Sequence, residues 1–290
     1  MKKIISIMIT ALISLNMVSC VDQSGGKSES NETRIVATSV ATLEVLEKLD
    51  IDGVVGIPKT ESYTIPERYT DATEVGTSMA PDMEIIKNLN PTDVIGPSSL
   101  EADLQSKYEN ISVNSTYLNL KSTAGLFKSV QELGEKYGKE EKAKELVEEF
   151  KTFINEYKDK NKDKEKPTVL LLMGLPGSYV VATENSYAGS LLRLAGGINV
   201  YDGEEDFLNI NPEDMVTKQP DIILRTSHAM PEEVHAMFEK EFKENDIWKH
   251  FKAVQEDKVY DLDNNKFGMS ATFNYKEALE DLQKILYGEA

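Results

Sequence analysis

Two side chains stand out as donors that could bind a metal centre without bringing a charge to it. One is His228, in a chain of 290 residues that contains only three histidines. It follows the apolar run Asp221-Ile-Ile-Leu224 and precedes Pro231-Glu-Glu, a helix-starting signature. A histidine just past a strand's carboxyl end stands where open α/β proteins keep their ligands. The other is Met79, in the loop Gly76-Thr-Ser-Met79 that leads into Pro81-Asp-Met-Glu84. Taken alone, a loop histidine is more often structural and a lone methionine more often fills a core. His235 reads as a surface residue on the helix after Pro231, and His250, between Trp248 and Phe251, as packing or capping. Met83 and Met230 are the alternative thioethers, with Met83 the better fit to a core position. No Gly-x-Ser-x-Gly, His-Glu-x-x-His or Walker-type loop is present, which leaves an enzyme reading without a motif.

The elements that must carry these residues alternate. Apolar β-rich runs at Arg34–Ser39, Val54–Ile57, Asp93–Ile95, Thr168–Met173, Tyr179–Ala182, Asp221–Leu224 and Lys258–Leu262 are interleaved with helical spacings. The helices are expected at Val40–Leu49, Pro81–Leu89, around Ser190–Leu194 and at Pro212–Lys218. Such alternation predicts an α/β architecture with largely parallel sheets. Two segments echo each other: Glu84 and Glu213 each stand seven residues before a proline, Pro91 or Pro220, after which an aspartate and a β-branched pair follow. The proline ends the helix because it lacks an N–H and constrains its predecessor. Between the halves, Ser122–Tyr137 forms one helix broken by Gly138. Glu140–Asp163, with an apolar stripe from Ala143 to Tyr157, forms another of roughly 36 Å at 1.5 Å per residue. The expected division is an N-terminal α/β lobe at 33–119, a helical segment with the lobe-connecting helix at 120–166, and a C-terminal α/β lobe at 167–290.

The start of the chain reads as an export signal. Met1-Lys-Lys is a short positive region, and Ile4–Leu15 is apolar but too short to remain as a membrane span. Met17-Val-Ser-Cys20 resembles a bacterial lipobox, with Met where Leu is usual. This predicts a signal peptide at 1–19, a lipidated Cys20, a flexible tether at 20–32 and a lipid-anchored extracytoplasmic location. Cys20 is the only cysteine, so no internal disulfide or cysteine-rich metal site can form. The formal charge is −18, and removal of Lys2 and Lys3 with the leader leaves 30 basic against 50 acidic residues, or −20. That excludes the clustered basic footprint of nucleic-acid binding.

The segments Val75-Gly-Thr-Ser-Met79-Ala-Pro-Asp82, Ile223-Leu-Arg-Thr-Ser-His228-Ala-Met-Pro231, Phe238–Phe251 and Lys258–Leu262 resemble the helical-backbone class of substrate-binding proteins for ABC importers. Within that class they are most similar to haem-receptor lipoproteins of the IsdE type. The resemblance implies two Rossmann-like lobes joined by one long backbone helix. It also implies haem as the transported ligand, an ABC permease with its ATPase as receiver, and surface haem-donor proteins as a source. Its axial ligands to haem iron map onto Met79 and His228, and both donor types are established for haem. The family's propionate site maps onto the first helix start, Ser39, Val40, Ala41 and Thr42. Lys59, Ser62 and Tyr63 are candidates for added charge and hydroxyl contacts, and ordinary Ser/Thr capping is the competing reading. Glu84 and Glu213 match the paired acids, one per lobe, that dock on permease arginines, although a first-turn glutamate also suits the helix dipole.

A siderophore or another iron chelate is the alternative cargo; it would call for an aromatic and basic pocket instead of axial ligands. A divalent-ion carrier would need histidines and carboxylates converging on one ion, which three scattered histidines do not suit.

Overall fold

A computed structural model of the chain describes residues 32–60 and 63–288. The signal segment, Cys20, the tether up to residue 31, and Ser62 lie outside the described residues. The first half builds β1 (Ile35–Ala37), α1 (Val40–Lys48), β2 (Val54–Ile57), β3 (Thr73–Glu74), α2 (Met83–Asn88), β4 (Asp93–Pro97), α3 (Glu101–Asn110) and β5 (Ser115–Leu118). Two connecting helices follow, α4 (Thr123–Tyr137) and α5 (Glu140–Asn161). The second half holds β6 (Thr168–Leu175), β7 (Ser178–Ala182), α6 (Tyr187–Ala195), β8 (Ile198–Asn199), β9 (Phe207–Leu208), α7 (Pro212–Thr217) and β10 (Ile222–Ser227). It ends with α8 (Pro231–Glu244), α9 (Lys252–Gln255), β11 (Val259–Asp261), α10 (Asn264–Phe267) and α11 (Tyr275–Tyr287).

The first sheet has the order β3-β2-β1-β4-β5 with every pairing parallel, so all its strand ends point their following loops to one edge. The second has the order β11-β10-β6-β7-β9, with β8 also on β6. Its pairings are parallel except those of β7, which runs antiparallel to β6 and to β9. Only Pro176 and Gly177 separate β6 from β7, and Gly177 takes φ +79. Two residues allow a hairpin and no crossover, so the strand must return antiparallel.

The connection is a helix pair. Gly138, in the left-handed conformation at φ 66, ends α4, and its N–H bonds to the carbonyl of Gly134, a common helix stop. α5 runs 22 residues, about 33 Å at the usual rise. Its apolar face meets α11 through the Tyr157 hydroxyl, which donates to Leu279 O at 2.9 Å. A reciprocal amide pair between buried Asn161 and Gln283, at 2.7 and 2.9 Å, adds to the contact. Phe127 stacks on Phe150 with centroids 4.2 Å apart, and Tyr275 meets both edge-on. One apolar cluster therefore runs from β1 and α1 through α4 and α5 into β6, α6 and α11. No helix among the described residues is long and apolar enough to cross a membrane.

The two echoing segments adopt the same course. α2 and α7 are each six residues long, capped by Asp82 or Asn211, with the glutamate as second helical residue. Each ends in a C-cap residue and then a left-handed residue, Asn90 at φ 45 or Gln219 at φ 42, immediately before the proline. α2 starts two residues later than the sequence suggests. The Asp82 carboxylate accepts the N–H groups of Glu84 and Ile85 at 2.9 and 3.0 Å, while Pro81 is held in a bridge to Gly76.

Candidate ligand-binding site at the strand ends

Met79 sits on a loop closed on itself. Gly76 at φ +92 and Pro81 form the bridge at its base, and Asp82 N donates to Val75 O at 2.7 Å. Ala80 N donates to Thr77 O at 3.1 Å, making a turn with Met79 near its tip. An added Cβ at Gly76 would lie 2.8 Å from Ala80 O, so only glycine fits this fold-back. The result is a thioether 72% exposed in a chain whose core methionines Met173 and Met215 are fully buried. Met83, the first residue of α2, is partly buried against the cluster around Val36 and Ile86. Lys59 joins this edge through its N–H, which donates to Gly76 O at 2.8 Å, and its side chain is exposed.

His228 is the residue after β10. Its backbone N–H extends the ladder to Gly174 O at 3.0 Å, while its side chain is exposed at the sheet's carboxyl edge. Surrounding protein nevertheless disfavours the imidazolium and lowers the pKa below the ordinary 6.5, so the ring is neutral near pH 7. Among the described residues neither the Met79 sulfur nor the His228 ring has a hydrogen-bond partner, which leaves both free to ligate.

At the start of α1 the Ser39 and Thr42 side chains are already engaged. Ser39 Oγ accepts Thr42 N at 3.1 Å and pairs with Thr42 Oγ1 at 2.8 Å. The cap reading is thus realised, and the first-turn N–H groups of Val40 and Ala41 remain the free donors, with no acidic residue in that turn. The Tyr63 side chain, beyond β2, lies near Asn264 and Asp263, beyond β11. Its hydroxyl also lies 3.9 Å from where a Cβ on Gly268 would stand. That contact joins the carboxyl-end loops of one sheet to those of the other. Burial raises the Tyr63 pKa above its ordinary value, so the phenol stays protonated at neutral pH.

The large apolar side chains left exposed are Tyr63, Met79, Ile198, Met230 and Met269. Tyr63, Met79 and Met230 lie on loops that follow the strands β2, β3 and β10, and Met269 follows α10, so most of this unburied apolar surface lies on segments after the strand ends. Asn264 and Met269 escape detection by residue type, although the place of Asn264 just past β11 was a usable signal. Glu84 and Glu213 are exposed, and neither has an ion-pair partner among the described residues. His235 is exposed as expected but is engaged, with Nδ1 3.1 Å from Asp261 Oδ2. His250 neither packs nor caps. Its side chain is exposed because Trp248 and Phe251 turn inward and take the core, leaving its carbonyl to accept Gln219 Nε2 at 3.1 Å.

The profile of the family described as periplasmic binding protein matches residues 35–266. The high-affinity heme uptake system protein IsdE of Staphylococcus aureus is 40% identical over 288 residues, covering 98% of this chain and 97% of that protein. Among solved structures, an ABC transporter substrate-binding protein from Listeria monocytogenes EGD-e has 46% identity and a TM-score of 0.83, covering 89% of this chain and all of that one. The structure of S. aureus IsdE complexed with heme has 41% identity and a TM-score of 0.83, covering 88% and 99%. These are binding components of transport and not enzymes, and two α/β halves joined through a long helix are their architecture. The chain belongs to the periplasmic binding protein family.

Proposed function

We propose that this chain is a haem-binding receptor lipoprotein, anchored through Cys20 on the outer face of the cell membrane, that delivers haem to an ABC permease. The observation that carries the reading is the pair of exposed, unpartnered, neutral donors, a thioether and an imidazole, each on a carboxyl-edge loop of a different sheet. A buried iron porphyrin wants axial ligands that bring no uncompensated charge, and sulfur with nitrogen is such a pair. The relatives complexed with heme or named for its uptake support the same cargo.

On this reading 33–119 and 167–290 are the lobes, 120–166 is their joint, and the porphyrin lies between them with Met79 on one side of the iron and His228 on the other. Its propionates lie toward the first-turn N–H groups of Val40 and Ala41, where a helix N-terminus favours anions, with Lys59 supplying charge. Tyr63 flanks the pocket mouth. Glu84 and Glu213, standing alike on the paired helices α2 and α7, are the contacts offered to the permease.

Titrating the lipid-free protein with hemin tests this. The wild type is expected to give a one-to-one complex with a Soret band, and Met79→Ala and His228→Ala are each expected to shift that band. Uptake of a ferric siderophore in place of hemin would overturn the cargo. A hemin complex whose spectrum neither substitution alters would overturn the ligands.

A further inference from the structure

A group of charges beside His228 belongs neither to the pocket nor to the docking acids. Arg225, on β10 three residues before His228, is only 5% exposed. Its Nε donates to Asp261 Oδ1 at 2.7 Å, and its Nη2 donates to Asp261 Oδ2 at 2.6 Å and to Glu239 Oε1 at 2.9 Å. His235 Nδ1 closes the group, 3.1 Å from Asp261 Oδ2. Arg225 and Asp261 are register partners on β10 and β11, while His235 and Glu239 lie one turn apart on α8. The guanidinium also lies 4.9 Å from the Phe242 ring centre and 5.4 Å from that of Phe238, both on α8. Donor atoms of His235, Glu239 and Asp261 lie within 4.8 Å of one another. A bound cation there would face a guanidinium already holding both carboxylates, so the group is an ion network and not a metal site.

The loop that carries His228 has little else to fix it. Three residues, 228–230, join the end of β10 to Pro231 at the start of α8. Met230 takes φ 50 and ψ 57, a left-handed conformation unfavourable for a non-glycine residue, and α8 has no side-chain cap. A cavity of about 290 Å³ opens between the flanks of the loop, lined among others by Arg225, Ser227, Pro231, His235 and Asp261. With open space between its flanks, the loop's position depends on the His228 N–H bond to Gly174 O and on the two contacts that anchor α8. On the apolar side Val234 and Phe238 press α8 onto Gly174, where an added Cβ would lie 2.2 Å from Val234. On the other side the only polar tie of α8 to β10 and β11 among the described residues is the Arg225 network.

We propose that the Arg225–Asp261–Glu239–His235 network is the positioning device for His228: it holds α8 against β10 and β11 so that the strained loop presents the imidazole to the iron. This rests on the haem reading above. Removing a group that hydrogen-bonds a metal ligand costs about ten- to a hundredfold in affinity, and a network that acts on the ligand only through its loop belongs at the lower end.

The test uses His235→Ala combined with Glu239→Gln, both at exposed positions, which leaves the buried Arg225–Asp261 fork intact. Hemin release is followed by capture with a haem-scavenging globin, and exogenous imidazole is titrated to displace the histidine from the iron. Release is expected to speed up about tenfold, with displacement at a correspondingly lower imidazole concentration and a melting temperature close to wild type. Release and displacement within twofold of wild type would overturn the positioning role. So would equal acceleration in Asn161→Ala, which loosens the distant α5–α11 contact and reports general destabilisation. If His228→Ala leaves the wild-type hemin spectrum unchanged, the haem-ligand reading fails first and this proposal falls with it.

Discussion

Glu84 and Glu213 allow two physical roles to be separated by magnitude. Each is the second residue of a six-residue helix, exposed and without an ion-pair partner among the described residues. As a dipole partner, a first-turn carboxylate contributes about 0.3–1 kcal/mol. For a chain of this size, losing it lowers the melting temperature by at most about 2–4 °C. As a docking contact, truncating one member of a charge pair buried in an interface costs about 2–5 kcal/mol, and 2 kcal/mol is roughly thirtyfold in affinity. Glu84→Ala and Glu213→Ala should therefore leave hemin binding and melting nearly unchanged. Each should raise, by thirtyfold or more, the concentration of loaded protein that half-saturates haem transfer into proteoliposomes containing the permease and its ATPase. Asp214→Ala is the control, because Asp214 is another first-turn acid of α7 and has no counterpart in α2. Normal half-saturation in the Glu84→Ala, Glu213→Ala double variant would refute the docking role. Equal damage from Asp214→Ala would assign the effect to general loss of acidity at that helix.

Burial lowers the His228 pKa below 6.5, and iron and proton compete for one nitrogen, so hemin affinity should stay level from neutral pH down past 6.5 and weaken only below that depressed value; a pH series of hemin titrations, flat in His228→Ala, checks it. Gly174→Ala would place a methyl 2.2 Å from Val234 Cγ1 and 2.7 Å from the Phe238 ring, and the overpacking should cost about 1–3 kcal/mol in denaturant unfolding. Asn161→Ala removes one half of the buried amide pair, for an expected loss of about 1–3 kcal/mol by the same measurement.

How far the fold could be read depended on how much each element buries. β6 buries nearly every residue and reads directly as an apolar run, whereas β4 and β10 read only as far as Ile95 and Leu224, because they continue into Gly96-Pro97 and into the buried but polar Arg225-Thr226-Ser227. α3 buries only Leu104 and Tyr108 among charged neighbours, and β5 is Ser-Thr-Tyr-Leu with a single buried residue, so neither announces itself. β3, β8 and β9 are two residues each and exist because a longer neighbour offers an edge. α11 is strongly amphipathic, but its role as partner of α5 depends on Tyr157 and Asn161 meeting Leu279 and Gln283 across 122 residues of chain. In the candidate site, Met79 and His228 were singled out by the resemblance of their flanking segments, since type and place alone favour a structural histidine and a core methionine. The Tyr63–Asn264 contact and the Arg225 network were not legible, since each joins residues that only the sheet order brings together.

The chain's acidity bears on what such a site must be made of. On the proposed haem reading, two propionates meet a chain of formal charge −18, so long-range steering opposes binding instead of aiding it. Attraction must then be short-ranged and indifferent to that field. Coordination by a thioether and a neutral imidazole meets the condition, since neither changes its charge on binding iron. Burying the exposed Tyr63, Met230 and Met269 against a porphyrin would meet it too, because that contribution carries no sign. The first-turn N–H groups of α1 add a local positive end that acts over a turn of helix, at a place where no acidic side chain stands to cancel it. A site built for an anion in an acidic protein is thus expected to rely on these groups more than on lysines.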